Sequence, residues 1–172
     1  MKIIVPIYFT LSALGVGAFA EPVHVLMWDE RQPRQEEAYD NWLGNEIVKQ
    51  LKASTTGLEF RSVALDDPEQ GLSSENLDWA DVIIWWGHER HWEISPETAQ
   101  RKLINRIMSG KLDLIALHSS HWATVFMEAM NEKTRAIVRE RYPNTDPKFK
   151  VDYEYIPTPG RIPPTADSLV TP

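Results

Sequence analysis

The chain of 172 residues contains no cysteine. That excludes disulfide staples, thiolate metal ligands and any thiol nucleophile, so the fold must rest on its apolar core. Positive charge is also in short supply: 18 Lys and Arg stand against 25 Asp and Glu, for a formal net charge of −7 at pH 7. The cations are scattered along the chain, which argues against nucleic acid as a partner, because phosphates demand clustered positive charge. A second long hydrophobic run is missing too. Only Ile3 to Phe19 has that character, and nothing later reaches the roughly 20 apolar residues that stop a chain in a membrane.

The first run reads as an export signal. Lys2 supplies a short positive start, and Ala18-Phe19-Ala20 has the small-x-small form cut by signal peptidase. Cleavage after Ala20 is expected, giving a periplasmic or secreted chain with no membrane contact thereafter; an uncleaved anchor is the alternative. The remaining length of about 150 residues suits one domain with a real core. Seven tryptophans are present, and indoles serve both as core residues and as platforms for sugar rings.

Strand and helix patterns alternate, which predicts a parallel sheet covered on both faces. Val23 to Trp28 is a short apolar run closed by Asp29-Glu30. Trp42, Leu43, Ile47, Val48 and Leu51 then recur at helical spacing, and Gly57 ends that unit. Leu58 to Leu65 reads as the second strand, and Asp66-Asp67-Pro68 as a solvated turn together with Glu69. Ser73 or Ser74 caps a short helix that includes Leu77. Val82-Ile83-Ile84-Trp85-Trp86 is the clearest buried strand, its two tryptophans facing opposite sides of the sheet. Ser95-Pro96-Glu97 opens a helix with cap, proline and acid in their favoured places. Ala99, Leu103, Ile104, Ile107 and Met108 are its apolar face, and Gly110 is its stop. Leu112 to Leu117 predicts a fourth strand, and Trp122 to Arg139 a last helix. Seven of the 12 prolines lie beyond Arg141. That segment reads as a long loop or tail, apart from an alternating stretch at Val151–Tyr155 that suits an edge strand.

Four of the five histidines fall in two matched places. His88 and His91 follow the third strand, and His118 and His121 follow the fourth. Ligands of open parallel sheets bind beyond the carboxyl ends of the strands, so both pairs, with Asp29 and Glu30 at the end of the first strand, are expected around one crevice. Three readings compete. His88, His91, His118 and His121 ligate a divalent metal such as zinc, for which imidazole is a suitable donor. Alternatively, His88, His118 and His121 transfer protons around a bound sugar. In the plainest reading they satisfy strand ends and helix termini. Asp29, Glu30, Trp86, Trp92 and Trp122 are the expected substrate contacts, whereas His24, inside the first strand, is structural. Ser119 and Ser120 occupy an elbow-like place, but the Gly-x-Ser-x-Gly frame of a serine hydrolase is absent.

Three stretches carry a family resemblance: Leu65-Asp66-Asp67-Pro68-Glu69-Gln70-Gly71-Leu72, Asp81-Val82-Ile83-Ile84-Trp85-Trp86-Gly87-His88, and Ile115-Ala116-Leu117-His118-Ser119-Ser120-His121. In order and spacing they resemble the trehalose-utilisation (ThuA-like) family, over about Val23 to Arg135. The resemblance implies a flavodoxin-like fold of the class I glutamine amidotransferase superfamily: an open parallel sheet with helices on both faces. It also implies a role in disaccharide catabolism involving keto-sugar chemistry, a small carbohydrate as substrate, and His88, His91, His118 and His121 as site residues. Amidotransferase activity is excluded, because it needs a cysteine at the elbow where this chain has His118-Ser119. Family members continue past this length, so the chain is expected to lack C-terminal strands and to leave a sheet edge exposed. The expected organisation is a signal over 1–20, the α/β domain over 21–140, and the proline-rich segment over 141–172.

Overall fold

The computed structural model describes residues 21–143 and Glu154. The expected signal, the expected edge strand apart from Glu154, and the rest of the proline-rich segment lie outside the described residues. The chain separates into two compact units, Met1–Arg135 and Ala136–Pro172.

Four strands, β1 (Val23–Asp29), β2 (Leu58–Ala64), β3 (Val82–Trp86) and β4 (Asp113–Ala116), form one sheet of order β2-β1-β3-β4. Every pairing is parallel, with Asp29 opposite Trp86 and Trp85 opposite Ala116. Helices α1 (Leu43–Ser54), α2 (Ser74–Trp79), α3 (Pro96–Thr98), α4 (Asn105–Met108) and α5 (Thr124–Arg141) alternate with the strands. This is the expected α/β open sheet of flavodoxin-like type. β1 is buried from Val25 onward because it is central and both its faces are covered.

The alternation of side chains divides the core in two. On one face Leu26, Trp28, Ile83 and Trp85 pack with Leu72, Leu77, Leu103, Leu112 and Val125. Trp28 and Trp85 stack there with centroids 3.7 Å apart and planes 5° from parallel, and Trp28 Nε1 donates to the Gln70 carbonyl at 2.8 Å. On the other face Val25, Met27 and Ile84 meet Val48 of α1, and Trp86 is packed beside them. The two tryptophans of β3 thus face opposite sides, as the strand period requires.

Local signals placed the helix after β3 well. Ser95 Oγ accepts from Thr98 N at 3.2 Å, with Pro96 in the first turn. Between α3 and α4, however, Ala99–Ile104 winds as a π-helix. The wider turn buries Ala99, Leu103 and Ile104 but carries later residues off the 3.6-residue period, so Met108 is 47% exposed rather than part of the apolar face. Gly110 closes the unit at φ 70°, where a side chain would be strained. Among the described residues β4 is one of the two outer strands, and Ile115 upon it is 49% exposed. The last helix begins at Thr124 rather than Trp122, because His118–Trp122 forms a 3-10 turn first. In the second unit, Tyr142 N donates to Val138 O at 2.8 Å, and the Arg141 guanidinium lies over the Tyr142 ring. Among the described residues no helix is long and apolar enough to cross a membrane.

Candidate functional site

The chain leaves β1 toward β2 on one side and toward β3 and β4 on the other, so the strand order reverses between β1 and β3. A sheet of this kind opens a crevice at the carboxyl ends of those two strands. Asp29, Glu30, Gly87 and His88 sit there by sequence.

The carboxylates, read from sequence as substrate contacts, are buried at 1% and 0% exposure and engaged by the fold. Asp29 accepts from Gly44 N at 2.8 Å, Arg31 N at 2.8 Å and Gln35 Nε2 at 2.9 Å, anchoring the first turn of α1. Glu30 accepts from Glu89 N at 2.7 Å and Arg90 N at 2.9 Å, and from Gln32 Nε2. A buried carboxylate is costly unless its lone pairs are taken up, and backbone N–H groups take them up here. Glu30 therefore holds the segment that carries His88 and His91. Arg90 clamps the same segment from outside: its guanidinium meets Asp66 at 2.8 and 3.0 Å and Glu93 at 2.8 and 3.1 Å. The hydrogen bond to Asp66, then that to Glu93, holds Arg90 more firmly protonated, and the same contact lowers the Asp66 carboxyl pKa.

The two histidine loops are tied together. Ser120, fully buried, donates from Oγ to the Trp85 carbonyl at 3.1 Å and accepts from Gly87 N at 3.1 Å. Thr124 Oγ1 donates to the His91 carbonyl at 3.1 Å and lies 3.5 Å from His91 Nδ1. His88 is exposed in the bend after β3, and His91 is partly buried at the start of the 3-10 turn His91–Glu93. Burial lowers the pKa of His91, Glu30 opposes that effect, and His88 adds to it. His91, His88 and Glu30 thus share one electrostatic neighbourhood. His118 and His121 are exposed in the turn after β4, with His121 Nδ1 3.3 Å from the His118 carbonyl. His118 takes φ 35°, a left-handed conformation that costs a non-glycine residue roughly 1–2 kcal/mol.

Among the aromatic expectations, Trp92 is 68% exposed and Trp122 46% exposed, while Trp86 is half-buried. Trp92 Nε1 donates to the Glu89 carbonyl at 3.1 Å, and the His121 and Trp122 rings lie 5.1 Å apart. Each histidine pair is therefore followed by an exposed tryptophan. Among the described residues no group of three or more His, Asp or Glu converges to hold a metal ion. A groove of about 540 Å³ lies elsewhere, lined in part by Glu97, Arg101, Asn105, Glu128 and Arg135, and includes neither histidine pair.

Sequence reasoning did not single out Gln32, Gln35, Arg90 or Thr124, and it weighed Ser120 only as a weak nucleophile. No local signal marks these residues, since each acts through partners distant in the chain or through a loop geometry that the fold creates. No family model and no curated protein matches the chain.

Proposed function

We propose that the protein is a ThuA-like sugar-utilisation protein that acts on trehalose-type disaccharides or their keto derivatives by histidine acid–base chemistry. The observation that carries this reading is the placement of both His-x-x-His pairs at carboxyl ends of the neighbouring parallel strands β3 and β4, each followed by an exposed tryptophan. An indole face stacks on the C–H face of a pyranose, and an imidazole beside it takes or gives a hydroxyl proton near neutral pH. The first 20 residues support a periplasmic or secreted setting for this chemistry. The test is turnover of trehalose-type and 3-keto disaccharides by the whole protein and by His88→Ala and His118→Ala. Loss of a proton-transfer group is expected to lower turnover by about 10²–10⁴-fold; unchanged turnover in both variants sinks the assignment.

The exposure of His88, His118 and His121 favours a second reading, a non-catalytic carbohydrate-binding or scaffold domain. Calorimetric sugar affinity without product formation distinguishes it from the first.

A further inference from the structure

We infer that Thr124 is a positioning residue that keeps the proton of His91 on Nδ1 and leaves Nε2 as a bare acceptor. A threonine hydroxyl has one proton and two lone pairs. That proton is directed at the His91 carbonyl, 3.1 Å away. Toward His91 Nδ1, 3.5 Å away, the same oxygen is left to accept, which favours hydrogen on Nδ1 through a long, weak contact. A neutral imidazole has a single N–H, and Nε2 then holds the lone pair.

The other loop follows the same rule with a different partner. His121 Nδ1 lies 3.3 Å from the His118 carbonyl, which has no proton to give, so there too Nδ1 donates and Nε2 accepts. The second histidine of each pair thus has a local oxygen beside its Nδ1. Histidines that act as bases or ligands are commonly prepared in this way. The role of Nε2 rests on the proposed function: a sugar hydroxyl would donate a hydrogen bond to the lone pair of His91 Nε2 while the Nδ1–H stays on Thr124 Oγ1. The tautomer itself does not depend on that reading.

The tautomer is read on the whole protein by long-range ¹H–¹⁵N correlation of the histidine rings above the titration range of imidazole, at about pH 8, with His91→Gln to assign the signals. The wild type is expected to show His91 mainly as Nδ1–H. Thr124→Ser should keep it so, and Thr124→Val should shift the ratio toward Nε2–H by about two- to tenfold, the effect of one net hydrogen bond. His121 is the internal control and should not move. Thr124→Ala gives the same readout if valine is not tolerated at the start of α5. His91 found mainly as Nε2–H in the wild type, or an unchanged ratio without the hydroxyl, overturns the inference. If the tautomer is as stated but no disaccharide is bound or turned over, the proposed function fails and the inference stands.

Discussion

Replacing Glu30 by glutamine removes one negative charge and no volume, and the structure sets its cost. The carboxylate has three donors: Glu89 N at 2.7 Å and Gln32 Nε2 on Oε1, and Arg90 N at 2.9 Å on Oε2. A glutamine oxygen placed at Oε1 keeps the first two partners, but its amide NH₂ then faces the Arg90 N–H. One charge-assisted bond is lost, about 1.5–3 kcal/mol, and the two survivors drop to neutral strength, roughly 1 kcal/mol each. Relief from burying a charge at 0% exposure offsets part of this, leaving a net destabilisation of about 2–4 kcal/mol. With a urea slope of roughly 2 kcal/mol per molar, the midpoint should fall by about 1–2 M. Hydrogen exchange supplies the local readout, since the Glu89 and Arg90 amides should lose protection while those of β2 change only with global stability. A midpoint within about 0.3 M of wild type, with Glu89 and Arg90 still protected, would refute the assignment of Glu30 as the anchor of the His88–His91 segment.

Gly87→Ala puts a Cβ 3.0 Å from Trp85 Nε1 and 3.3 Å from Trp28 in the stacked pair. Overpacking there should cost about 1–3 kcal/mol in thermal or urea unfolding, with the near-ultraviolet signal of the stacked indoles altered. For His91, whose pKa burial lowers, the sign is fixed by proton binding. An unfolded imidazole takes up a proton around pH 6.5, the folded one only at lower pH. The unfolded state binds more protons in that interval, so stability falls as pH drops through about 6.5 and levels off once folded His91 is also protonated. Urea midpoints from about pH 8 to about pH 5 should therefore decline less in His91→Gln than in wild type; parallel curves would contradict the shift.

Several elements were legible in the sequence because their causes are local. The apolar run Val82–Trp86 is a strand, Ser95 caps, and Gly110 stops, each through chemistry contained within a few residues. The π-helix at Ala99–Ile104 was not legible, since the extra residue per turn is chosen by the core that Leu103 and Ile104 must both enter. Nor was the left-handed His118, whose backbone is set by the turn that brings Ser120 under Trp85 and Gly87.

The histidine pairs show where the division falls. Parallel strands all end on the same side of a sheet, so the pattern of strands and helices alone determined that His88, His91, His118 and His121 would gather at one end. Which neighbouring polar groups remain available was decided only in three dimensions. Asp29 and Glu30 lie at that same end, yet Glu30 is bound by amides 59 and 60 residues away. A buried carboxylate takes whatever donors desolvation leaves within reach, and those donors are set by tertiary contact rather than by neighbours in the chain.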